Sequence, residues 1–357
     1  KWNGNNNRIM RHCRLTQQSN LTSLEAHKNA MKQKSLMSLK AYLAFGFALS
    51  FFSSFGQTFF IGNFKKDILE LYPWLSHGSY GGWYSAMTLL SAVCLSYAGR
   101  KIDSVALRKF ALFACLGLIG ACALMALQQH FIMLLAALFG LRFFGQGLMS
   151  HTSQTTTARY FDHLRGKALS FVNLGHPAGE AILPMAILPL LLIGSWRSPW
   201  FIAIGALCVI VVPMIFWLLR GHDERHEKHM ARVEAEANES ENSKQWTASE
   251  VLLSSSFLLR LPIFIMPAFL VTGIMFHQDI LKEQMGWTAG SFAGAMISYS
   301  IAQVTIAPLC GILVDKYNGV RLLPYYMWPF TAVLFAFPWV GGSIAPHILL
   351  VGSGLSS

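Results

Sequence analysis

Two charged side chains stand inside long apolar stretches, and their chemistry raises the first questions about this chain. Arg142 lies in L-F-G-L-R-F-F-G-Q-G-L (Leu138 to Leu148), and Glu180 in F-V-N-L-G-H-P-A-G-E-A-I-L-P (Phe171 to Pro184). Counted at about 1.5 Å per residue, both fall near the middle of a hydrocarbon layer about 30 Å thick. A charge there is costly, so each is expected to face water, a solute or an opposite charge. A carboxyl balanced between burial and a nearby base can bind and release a proton as its surroundings open and close. An arginine can hold an anionic solute, or hold the carboxylate when the site is empty. The plainer alternatives are an ion pair that only fixes helix packing, and an arginine that snorkels to the membrane surface. Gln146 follows Arg142 by four residues, and His176 precedes Glu180 by four. His176 is either a proton carrier or a hydrogen-bonded packing residue. Gln57, in F-G-Q-T-F, and His277, in G-I-M-F-H-Q, stand in two further apolar runs and are candidate cavity residues. Asn173 and Gln303 are lesser candidates.

The elements that must position these residues follow from composition. The chain has 357 residues, of which 54% are hydrophobic and 13% charged, against roughly 25% charged in an ordinary soluble domain. Its apolar residues come in runs of about 20, enough to cross a bilayer as helices. Spans are expected over residues 41–62, 80–99, 110–127, 131–150, 168–194, 200–219, 257–276, 289–308 and 322–341, with a tenth beginning after Pro346. Gly175, Pro177 and Gly179 are expected to loosen the fifth span around Glu180, and Pro177, Pro184 and Pro189 to bend it. Lys65, Lys66, Asp67 and Glu70 are read as a short outer loop of nearly balanced charge.

The net charge of +11 does not imply nucleic acid. Lys1, Arg8, Arg11, Arg14, Lys28, Lys32, Lys34 and Lys40 face only Glu25 in residues 1–40, a polar stretch read as a disordered tail. Positive charge beside a first span places that end in the cytoplasm. The true start is expected at Met31 or Met37. The six cysteines form neither a disulfide framework nor a C-x-x-C metal pair, and Cys94, Cys115, Cys122, Cys208 and Cys310 read as small packing residues. Between the sixth and seventh spans, Arg220 to Glu250 holds no apolar run and reads as a cytoplasmic linker. His222, His226 and His229 share a helical face there, but a solvated charged linker explains them better than a metal site. No metal and no cofactor are expected. A G-x-x-x-x-G-K-(S/T) phosphate loop is absent from the sequence, which argues against direct drive by ATP.

One stretch recurs. Gly311, Asp315, Lys316, Gly319 and Arg321 punctuate G-I-L-V-D-K-Y-N-G-V-R, and Gly99, Asp103 and Lys109 repeat the spacing 212 residues earlier. The same punctuation between two pairs of apolar runs marks an internal repeat. It resembles the signature loop G-x-x-x-D-(K/R)-x-x-G-x-(K/R) of the major facilitator superfamily of secondary transporters. The second copy matches fully. The first has Ser104 where a base is expected and Leu107 where the second glycine is expected. Arg142, Gln146 and Gly147 also resemble a fourth-span pattern of that family.

The resemblance implies an all-α membrane protein: a helical bundle of two pseudo-symmetric halves, with about nine complete transmembrane helices and part of a tenth. It implies a cytoplasmic tail over residues 1–40, a six-helix half over 41–219, a linker over 220–256 and a C-terminally incomplete second half over 257–357. It implies a monomeric multi-pass protein of the cell (inner) membrane, with tail and linker cytoplasmic and the bilayer, a small solute and protons as partners, rather than an enzyme. Movement would be by alternating access. Arg142 favours an organic anion such as a monocarboxylate coupled to protons. Proton-driven drug efflux is the alternative, with a membrane-embedded enzyme or a non-transporting receptor ranked lower. The family's signature loops clasp the opposite half, so Asp315 is expected near Arg165 to Ser170.

Overall fold

The structure, a computed structural model, describes residues 40–99, 102, 105–161, 165–219, 248–317, 319–322 and 324–356. The expected tail, Asp103 and most of the linker, including His222, His226 and His229, lie outside the described residues. So do the side chains of Asp315 and Arg165, and with them the expected clasp.

Every described element is helical, as lipid demands of chains whose backbone groups must bond within their own segment. We number the helices α1 (Lys40–Gly56), α2 (Thr58–Leu71), α3 (His77–Ala98), α4 (Leu107–Leu127), α5 (Phe131–Ala158), α6 (Gly166–Leu191) and α7 (Ser198–Leu218). After the linker come α8 (Ser255–Phe276), α9 (Gln278–Met285), α10 (Ala289–Tyr317), α11 (Trp328–Ala336) and α12 (Ala345–Leu355). Among the described residues six helices are long and apolar enough to cross a membrane, and seven if α1 and α2 form one broken span.

That count falls short of the expected nine complete helices at two places. The second expected span forms a 22-residue helix, α3, capped at Ser76 by Ser79, but its serines and tyrosines leave it less apolar than a typical span. The ninth is cut short: α11 holds nine residues, opens on Pro329 and gives way at Pro338 to a single 3-10 turn. Proline cannot donate the backbone bond that would continue the ladder. The signature loop expected from Gly311 to Arg321 is also corrected. Gly311, Asp315 and Lys316 sit inside the 29-residue α10, and Gly319 opens a separate short helix reaching Leu322. The run G-I-L-V continues the apolar pattern of the span, so the helix does not stop at its glycine.

The first span is broken where Gln57 takes an extended conformation (φ −86°, ψ 152°), and α1 and α2 meet there at 42°. The break is packed against a widened stretch of α5, a π-helix over Leu141–Met149. Such widened turns often mark functional places. Gly56 makes the approach possible, because a Cβ there would lie 2.9 Å from the Cα of Gly145 and 2.7 Å from the backbone nitrogen of Gln146. Close approach through small residues is what holds helices together in lipid. Gly56→Ala is expected to cost about 1–3 kcal/mol of overpacking, read as a lowered thermal unfolding midpoint in detergent. An unchanged midpoint would show that this contact is slack.

The fifth span, α6, carries an interruption at Leu174, three residues before Pro177. Its glycines, expected from sequence to loosen it, also pack it. A Cβ on Gly175 would meet backbone of α1 at Phe47 and Phe51, and one on Gly179 would meet Ser54. This contact fixes the next turn of α6 beside the break at Gln57.

Candidate functional site

Gln57, His176 and Glu180, three of the residues singled out by sequence, line one cavity of about 390 Å³. The broken first span supplies Gln57 and Phe59, and α6 supplies the other two. The wall opposite comes from beyond the linker: Phe264, Pro267, Ala268, Val271, Thr272 and Met275 on α8, Tyr299 on α10, with Tyr326 and Ser356. The cavity therefore lies between the two parts of the chain that the repeat relates.

Within it, His176 Nδ1 stands 3.5 Å from Glu180 Oε1, one helical turn apart on α6. The histidine side chain is 34% exposed and the glutamate 6%, so the imidazole meets the cavity and the carboxylate lies behind it. Glu180 Oε2 is buried without a hydrogen-bond partner. A buried carboxylate oxygen with no donor is expensive. Phe59 meets the His176 ring edge-on at 6.2 Å between centroids.

Arg142 does not line this cavity, and among the described residues no ion pair joins it to Glu180. It is 6% exposed. Its guanidinium donates to the carbonyl of Gly56 at 3.2 Å and to Thr58 Oγ1 at 3.1 Å. The Tyr84 hydroxyl donates to the same threonine at 2.9 Å, and the Tyr84 ring lies 5.6 Å from the guanidinium. Where Gln57 leaves the helix, the last carbonyls of α1 lose their intrahelical donors. Arg142 satisfies one of them, so its visible role is to hold the break open. Gln146 is half-buried on the next turn of α5 with its backbone against Gly56.

His277 is also outside the cavity. It stands just past the end of α8, where its Nδ1 lies 3.3 Å from Lys65 Nζ. Lys65 is fully buried, and its ammonium is 3.6 Å from Asp279 Oδ1. The expected outer loop at Lys65 is therefore corrected: α2 continues through it to Leu71, and Ile61, Phe64, Lys65 and Ile68 all face inward. Asn173 is exposed and Gln303 half-buried.

A family model, described as Major Facilitator Superfamily, matches residues 43–357. The chain belongs to the major facilitator superfamily. Among curated protein sequences nothing matches it significantly. Solved structures share its fold. A D-xylose–proton symporter matches with a TM-score of 0.58 at 14% identity, over 92% of this chain and 80% of the other. A peptide transporter in complex with alafosfalin matches with a TM-score of 0.50 at 11% identity, over 90% and 80%. This superfamily chain is thus a multi-pass membrane transporter of a small molecule.

Among the described residues, none of the family's signature positions lines the cavity. The Gly99 carbonyl accepts from His151 Nε2 at 3.2 Å, tying the end of α3 to α5. Lys109 is exposed, as are Lys316, which lies over the Tyr317 ring, and Arg321. Sequence reasoning missed Thr58, Tyr84, Lys65 and Asp279. It also missed Tyr299 and Tyr326, which line the cavity from beyond the linker.

Proposed function

We propose that this transporter carries a small organic anion, of the size of a monocarboxylate, together with a proton, and that Glu180 and His176 are the coupling pair. The unpartnered, buried Glu180 Oε2 beside a cavity-facing imidazole carries this reading. With the site empty, ionised Glu180 pairs with protonated His176. When a carboxylate enters, His176 turns to it, and Glu180, losing that counter-charge, takes a proton on Oε2. Charge in the cavity then stays balanced in both states. Arg142, the cation expected for this task, is already spent on the Gly56 carbonyl, so His176 takes its place. Gln57 and Thr272 offer hydrogen bonds, and Phe59, Phe264 and Val271 an apolar wall. The topology that fits is the one with tail and linker in the cytoplasm, working as a monomer.

The volume supports a small solute, since it lies near the lower end of the roughly 300–1,000 Å³ of ligand pockets. A second reading, proton-driven efflux of an organic cation, draws on the same free carboxylate oxygen and the faces of Phe59 and Phe264. Uptake by proteoliposomes under an imposed pH gradient separates the two. Monocarboxylates are expected to accumulate on the alkaline side in step with protons. Accumulation of cationic dyes on the acidic side, without movement of any acid in the panel, would favour the second reading and end the first.

A further inference from the structure

The contacts around Lys65 form a second site, which the cavity does not include. All of them join segments on opposite sides of residues 220–247. Lys65 Nζ reaches Asp279 Oδ1 at 3.6 Å and His277 Nδ1 at 3.3 Å, and lies 4.8 Å from the centre of the Phe276 ring. Gln278 Nε2 donates to the Phe59 carbonyl at 3.0 Å. Phe276 stacks on Tyr80, with 5.6 Å between centroids and 10° between planes, and meets Tyr84 at 4.8 Å. The cluster begins where the cavity ends: Phe59 and Met275 line the cavity, while Phe276 to Asp279 lie immediately beyond Met275. It therefore stands beside the end of the cavity nearest the C-terminus of α8.

A fully buried lysine paired with an acid is a poor way to gain stability, because desolvation offsets most of the attraction and a well-packed apolar pair does as well. What an apolar pair cannot do is respond to water and protons. We propose that Lys65, Asp279 and His277 form a latch between the two parts of the transporter, closed while His277 is neutral and released when it is protonated. Neutral His277 accepts from the Lys65 ammonium through Nδ1. Once protonated it has no lone pair to offer, and it sets a second positive charge beside Lys65 and competes for Asp279. Of the other charged groups in reach, His77 at the start of α3 pushes the same way and Asp279 opposes; Lys282 on α9 interacts with Asp279. His277 is exposed and outside the span, so protons reach it from the water on that side. Burial, then Lys65, hold its pKa below the usual imidazole range. The sign follows: a depressed pKa makes the closed latch stable above the ordinary imidazole pKa and weakens it as pH falls through the lowered one. Acid on that side would open the cavity toward the acid.

Thiol labelling in the full chain tests this without any substrate, so it stands or falls independently of the Glu180 reading. Thr272→Cys, on the cavity wall, is placed in a background lacking the six native cysteines. It is probed with an impermeant reagent from the latch side and normalised to a Trp74→Cys control, which is exposed between α2 and α3. Between about pH 8 and about pH 5.5, across the ordinary imidazole range, the normalised rate is expected to rise several-fold. His277→Gln keeps an acceptor but cannot titrate, and should label slowly at both values. Asp279→Asn should label fast at both. A His277→Gln protein that keeps the parent's pH dependence would overturn the latch, as would Asp279→Asn labelling as slowly as the parent at the alkaline value. Should Asp279→Asn fail to fold, His277→Gln decides alone.

Discussion

Glu180→Gln is expected to give folded protein that binds and exchanges solute but no longer accumulates it against a gradient. Glutamine keeps the shape of the side chain, and its amide can still meet His176 Nδ1, which stands 3.5 Å from the carboxylate. What it lacks is the site for a proton. One proton moving with each solute down a gradient of about one pH unit supplies about 1.4 kcal/mol, a tenfold accumulation. The variant should bring that ratio to about one while exchange of labelled for unlabelled solute continues. A purely structural His176–Glu180 pair would behave differently: the amide would preserve packing and proton-driven uptake alike. Unaltered accumulation by Glu180→Gln would therefore remove the pair from the coupling mechanism. Loss of exchange as well as accumulation would instead assign Glu180 to solute binding.

The helices themselves were legible because apolar runs and charge punctuation are properties of local sequence. The third, sixth and seventh spans, expected at 110–127, 200–219 and 257–276, appear as Leu107–Leu127, Ser198–Leu218 and Ser255–Phe276. Gln57, His176 and Glu180 were legible as cavity residues because polar groups in apolar helices need a reason to be there. Lys65 was legible in principle and was missed. Ile61, Phe64, Lys65, Ile68 and Tyr72 keep a helical spacing past Gly62, and all are buried; charge drew attention away from the period. The partner of Arg142 could not be read at all. It is a backbone carbonyl 86 residues away, freed by a break in another helix, and a carbonyl has no signature in sequence. The contribution of α10 to the cavity was hidden for a related reason. Tyr299 looks like any other aromatic residue until its helix packs against α6.

That difference in Arg142's position changes what its removal should do. Arg142→Met replaces it with an unbranched apolar chain of similar reach. The Gly56 carbonyl and Thr58 Oγ1 lose a charged donor, each bond being worth about 1.5–3 kcal/mol. Against this, a buried guanidinium with no anionic partner among the described residues no longer has to be carried into lipid, a relief of about 2.5–3.5 kcal/mol on insertion scales. The terms are of similar size and opposite sign, so the change in stability should be modest. The change in geometry should not be. Gln57 and Phe59 flank the break and line the cavity, and their placement depends on α1 ending at Gly56. A residue that only bound the solute's charge would, when lost, raise the half-saturation concentration and leave the maximal rate near its parent value. A residue that holds the break should lower the maximal rate of both uptake and exchange, by tenfold or more at about 1.4 kcal/mol per decade. Arg142→Lys can reach one of the two acceptors and should fall between. A pure rise in half-saturation for Arg142→Met, relieved by raising the solute concentration, would return Arg142 to the substrate site.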